Sequence, residues 1–115
     1  MQVTKLSDAQ AYDAKLHWGM TGLRLQGMDT TDVESFSCSL SYFMPGGGAE
    51  WAASNNEKVY IVLDGDITIL TKDDSGNEVE TQLSTLDSCV IGLNETRAVE
   101  NRTNRVVTML VVVSS

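Results

Sequence analysis

Apolar and polar positions alternate with period two along most of this chain. The cleanest segment sets Phe36, Cys38, Leu40 and Tyr42 against Ser35, Ser37, Ser39 and Ser41, the pattern of a strand with two unlike faces. The apolar face is expected to be core. The hydroxyl-rich face is expected to be wet or to border a polar cavity. A second alternation, Thr21 to Gln26, suits a half-buried strand. Pro45 and the glycines Gly46 to Gly48 are expected to end the strand that starts at Phe36, because proline removes a ladder donor and glycine permits a tight bend. Further strands are predicted at Lys58–Leu63, Ile67–Lys72, Glu78–Leu83, Ser88–Ile91, Arg97–Glu100 and Val106–Val113, with Asp73 to Asn77 as a hairpin loop. The last of these is apolar on both faces, which places it inside a sheet rather than on a solvated edge. Residues 1 to about 15 form a short arm or an edge strand. No segment of useful length has helical period, so the chain reads as an all-β sandwich or barrel.

Size and charge narrow the functional classes. The 115 residues allow one domain, 1–115, with one core. An apolar fraction of 42% with 21% charged residues is that of a folded globule. The formal net charge is -8 and the basic residues are scattered, so nucleic acid and anionic membranes are not expected as partners. The apolar runs Val59–Leu63 and Met109–Val113 fall far below the roughly 18 residues of a membrane helix. The N-terminal residues lack the apolar stretch of a signal peptide, and a cytoplasmic location is expected. Cys38 and Cys89 lie within strand-like runs without CxxC spacing and read as reduced, buried thiols.

Two blocks share a plan of loop, strand and a residue directed back to a common interior, and together they resemble the motifs of the cupin superfamily. The first motif of that family, G-x5-H-x-H-x3-E-x6-G, falls on Gly46, Ala52, Ser54, Lys58 and Gly65 with every spacing intact. The second, G-x5-P-x-G-x2-H-x3-N, falls on Leu86, Gly92, Asn94, Arg97 and Asn101, and Asp87 takes the aspartate that commonly follows the motif's first glycine. The resemblance implies an antiparallel jelly-roll β-barrel. Together with the apolar final strand, it also implies a homodimer.

At the ligand positions the sequence departs from the family. Metal-binding cupins use three histidines and a glutamate; here those places hold Ala52, Ser54, Lys58 and Arg97. Alanine has no lone pair, serine is a poor ligand and two cations repel a divalent ion. No metal and no other cofactor are expected. Lys58 and Arg97 are instead expected to meet where the ion would sit, at a cost unless negative charge neutralises them. Glu50 shares strand parity with Ala52 and Ser54. Either Glu50 pairs with the two cations as a structural network, or a ligand carboxylate or phosphate does, with arginine suited to bidentate contact and lysine to a point charge. Ser54 and Tyr60 are the further candidate ligand contacts. Glu50 and His17, the chain's one histidine, are the candidate acid–base groups. Two functions remain open. One is a metal-independent isomerase, lyase or decarboxylase acting on a small anionic molecule. The other is a non-catalytic ligand-binding or accessory domain.

Overall fold

Nine strands carry the chain: β1 (Gln10–Tyr12), β2 (His17–Gln26), β3 (Phe36–Ala52), β4 (Lys58–Asp64), β5 (Ile67–Lys72), β6 (Glu78–Leu83), β7 (Ser88–Ile91), β8 (Arg97–Glu100) and β9 (Val107–Ser114), preceded by a 3₁₀ turn at Leu6–Asp8. The computed structural model describes residues 1–115. Every strand pairing is antiparallel. Strands β5 to β8 have the bounds that alternation and turn residues predict. The N-terminal arm supplies the edge strand β1 on β2, and no helix is long and apolar enough to cross a membrane.

Strand β3 does not end at Pro45. It runs for 17 residues and belongs to both halves of the barrel. Phe36 to Phe43 pair with β9, whereas Gly48 to Ala52 pair with β8. Between these stretches Met44, Pro45 and Gly46 are exposed, so the proline's missing N–H leaves no ladder partner unbonded. Gly46 bends with φ 79°. Gly48 then passes so close to β8 that a Cβ there would lie 2.1 Å from the Val99 carbonyl oxygen. The glycines turn one long strand from one sheet into the other, and the result is a nearly closed jelly-roll barrel ordered β6-β5-β8-β3-β9-β4-β7, with β2 and β1 continuing from β3.

The apolar face of β3 is not the core face that was expected. Phe43, Val62, Val107 and Met109 are buried in the core, and Ser41 pairs in register with Met109. Ser37, Ser39 and Ser41 therefore point into the barrel, while Leu40 and its cross-strand neighbours Leu23, Leu110 and Ile61 form a row on the outer face. The second of the two expected settings for the hydroxyl face, a polar cavity, is the one found. Residues of the core cluster, among them Phe43, Val62, Ile67, Ile69, Val99 and Met109, fill one end of the barrel. The other end is hollow.

Candidate functional site

The hollow end is a cavity of about 780 Å³. Its walls come from the loop after β1, the inner faces of β2 and the first half of β3, and the ends of β4, β8 and β9. Tyr60 belongs both to the core cluster and to the cavity wall, so it forms the floor.

Arg97 starts β8 on the far sheet and reaches across to that floor. It is 7% exposed. Its Nε donates to Tyr60 Oη at 2.8 Å and its Nη1 donates to the Glu50 backbone carbonyl at 3.0 Å. Lys58, at the start of β4, lines the same cavity, and its Nζ donates to Ser54 Oγ at 2.6 Å. Burial lowers the Lys58 pKa, and the Arg97 charge lowers it further. Burial also raises the Tyr60 pKa, an effect that the charge and hydrogen bond of Arg97 partly offset. The two motif cations thus line one cavity.

His17 is there as well. It opens β2 and lines the cavity. Its Nδ1 lies 2.7 Å from the Lys15 carbonyl oxygen. A carbonyl only accepts, so this contact places the proton on Nδ1 and leaves the lone pair on Nε2. Burial lowers the His17 pKa, the Lys15 carbonyl raises it, and the charges of Arg97 and Lys58 lower it.

Two of the expected site residues are not on the wall. Ser54 stands behind Lys58 and fixes its ammonium. Glu50 is exposed, and Arg97 meets its carbonyl rather than its carboxylate. Glu50 is therefore not the internal counter-charge, nor is it placed to move a proton in the cavity. A bulge breaks the strand parity here: Ala49 pairs with Val99 but Ala52 with Arg97, so one extra residue of β3 lies between those pairs. Trp18 and Trp51 are also off the wall. The Trp18 Nε1 donates to the Gly46 carbonyl at 2.8 Å, and the Lys72 ammonium lies 4.9 Å from the Trp51 ring centroid.

The cavity also holds residues that the motifs do not mark. Arg24, Asp13, Lys15 and Tyr12 line it, so its side chains supply four cations (Lys15, Arg24, Lys58 and Arg97) and one carboxylate, besides His17. None of these cations has a carboxylate within 4.0 Å; the chain's ion pairs join Arg102 to Glu80 and Glu100 on the surface. Arg24 lies within the Thr21–Gln26 alternation. Its signal was the polar face of a strand, which reads as solvent-facing unless the barrel is known to be hollow.

The second motif keeps its structural roles. Asn101 Nδ2 donates to the carbonyls of Phe43, Met44 and Arg105 at 3.0, 3.1 and 2.8 Å, and its Oδ1 accepts from Thr103. Asp87 accepts from the Ser84 amide at 2.9 Å. Leu86, in the place of the motif's first glycine, has φ 71°. The backbone has kept the glycine's conformation without the glycine. The metal set is different. Ala52, Ser54, Lys58 and Arg97 offer no group of donors that fits a divalent ion, and nowhere do three His, Cys, Asp or Glu side chains converge on a possible metal position.

Comparisons with known proteins agree with this architecture. No family model matches the chain. It is 40% identical over 114 residues, covering 99% of this chain and 94% of the relative, to the Mycobacterium tuberculosis protein named beta-D-galactosidase Rv1717. An RmlC-like cupin from Shewanella frigidimarina superposes with a TM-score of 0.79 at 14% identity, over 99% of this chain and 90% of that one. The polyketide cyclase RemF from Streptomyces resistomycificus superposes with a TM-score of 0.82 at 17% identity, over 99% and 79%. With both motif spacings intact on a jelly-roll barrel and neighbours of this kind, the chain has the cupin fold, and it belongs to one family with the Mycobacterium tuberculosis protein.

Proposed function

We propose that the barrel binds a small organic anion at Arg97 and Lys58 and acts on it by proton transfer without a metal. The observation that carries this reading is a pair of cations, Arg97 and Lys58, that line one cavity with no carboxylate within 4.0 Å of either. Charges removed from water are costly unless paired, and a bound carboxylate supplies the missing partner. Arginine offers a planar fork for bidentate contact, and Lys58, steadied by Ser54, a point charge.

The chemistry follows from the same groups. The His17 Nε2 lone pair takes a proton from the carbon next to the ligand's carbonyl. The electrons of that C–H bond move onto the carbonyl oxygen, and the resulting enolate is stabilised by Lys58 and Arg97. The imidazolium then returns the proton to another carbon, which completes an isomerisation, or to a leaving group, which completes an elimination. A lowered His17 pKa keeps the imidazole in its basic form at neutral pH. The alternative in which these cations only hold a ligand uses the same binding step and omits the proton transfer. Exchange of substrate C–H hydrogen with deuterated water, monitored by NMR, separates the two. Exchange that disappears in His17→Gln supports catalysis, whereas binding without exchange supports the non-catalytic reading.

The relative named beta-D-galactosidase, 40% identical along nearly the whole chain, favours a second reading in which a galactoside occupies the cavity. Ser37, Ser39 and Ser41 suit the hydroxyls of such a sugar. Paired-carboxylate hydrolysis needs two acidic side chains flanking the bond, and the cavity has only Asp13. Hydrolysis of a chromogenic β-D-galactoside, lost in Asp13→Asn, would establish this reading over the first.

We also propose a homodimer that buries the outer row Leu23, Leu40, Leu110 and Ile61 together with Val59 and Val90, which are 36% and 61% exposed. Apolar rows of this kind on a monomer's surface mark contact sites.

A further inference from the structure

The cavity has a second cationic wall that lies outside both motifs. Tyr12 of β1 pairs in register with Gly22 of β2. A Cβ on Gly22 would lie 2.7 Å from the Tyr12 ring, so the glycine is what lets the ring cross the strand. Held there, the ring does two things. It supports the Arg24 guanidinium, whose carbon lies 4.4 Å from the ring centroid, and its hydroxyl donates to Ser39 Oγ at 3.2 Å. Arg24 pairs in register with Ser39, lines the cavity and forms no ion pair.

Registers give the spacing of the two cationic regions. From Arg24 the row across the sheet runs through Ser39 and Val111 to Tyr60, the residue bonded to Arg97. Three strand-to-strand steps of about 4.8 Å make roughly 14 Å along the curved wall, and less across the hollow. Ser37, Ser39 and Ser41 occupy the strand between Arg24 and that floor. A ligand with a single charge would leave one of the two regions unpaired.

We propose that the ligand is a polyhydroxylated dianion, with one anionic group at Lys58 and Arg97, the other at Arg24, and its hydroxyls on the β3 serines. This deepens the anion-binding reading above and rests on it. Arg24 is then the residue that selects two charges over one, and Tyr12 positions it.

Calorimetric titration of the full chain with D-gluconate, D-glucarate and 6-phospho-D-gluconate tests the inference, the last two distinguishing a carboxylate from a phosphate as the second group. At least one of the two acids with two anionic groups is expected to bind about tenfold more tightly than gluconate, the scale of one charge-assisted contact. Arg24→Gln is expected to remove that advantage, so that the acids with two anionic groups bind no more tightly than gluconate, and Arg24→Lys, which keeps the charge, to retain part of it. Equal binding of one- and two-charge acids by the wild type, or an equal loss of both in Arg24→Gln, would overturn the second cationic region and leave the first standing. Failure of all three acids to bind the wild type would overturn both readings.

Discussion

At the scale of single residues, His17 and Leu86 carry the sharpest consequences. Because burial and the neighbouring cations lower the folded pKa of His17, the unfolded chain binds more protons than the folded one between the folded value and about 6.5. Stability is therefore lost as pH falls through that window. Urea unfolding of wild type and His17→Gln between pH 8 and pH 5 should show the variant gaining on the wild type below about pH 6.5. Parallel curves would show that His17 is not held neutral by its surroundings. Leu86 is 75% exposed and has the left-handed backbone of the glycine it stands for, so Leu86→Gly removes strain at little loss of packing. A gain of about 1 kcal/mol is expected, read as a higher midpoint in the same urea experiment. These two residues were legible to different degrees. The second motif's spacing marked Leu86, but His17 lies outside both motifs and only the fold brings it beside Lys58 and Arg97. Glu50 is the opposite case, since alternation assigned it inward and one extra residue in β3 turned it out.

Among the elements, β3 decides the architecture. Turn residues place strand ends well where a loop follows, as at Asp73 to Asn77, and β5 to β8 have the expected bounds for that reason. The same residues mislead at Pro45 to Gly48, where they mark a bend within a strand that changes sheets. Gly48→Ala would drive a methyl group into the Val99 carbonyl, and a cost of about 1–3 kcal/mol is expected, measured by thermal or urea unfolding. A neutral result would mean that β3 and β8 part more easily than their pairing indicates. The orientation of β2 and β3 was not legible from alternation alone, because period two shows that a strand has two unlike faces but not which one a hollow barrel turns inward. Ser39 and Arg24 sit on the face that an ordinary filled sandwich gives to solvent.

For the whole molecule, the proposals give the two faces of one sheet separate roles: a polar inner face for a ligand and an apolar outer face for a second copy. Gel filtration with light scattering should give twice the chain mass of 12.5 kDa, and Leu40→Glu with Leu110→Glu should reduce it to one chain with the fold retained. A wild-type monomer would count against the outer face as a contact site. The inner face is the more consequential of the two, because the motif positions that hold metal ligands in metal-binding cupins carry Lys58 and Arg97 here. The most direct measurement is a thermal shift of wild type and Arg97→Gln against small carboxylic acids, with divalent nickel, iron, manganese and zinc in parallel. An acid at a hundred times its dissociation constant should stabilise the wild type by about 2.7 kcal/mol, raising the Tm by roughly 10 °C, and should leave Arg97→Gln unshifted. Stabilisation by one of the metals and by none of the acids would contradict the account.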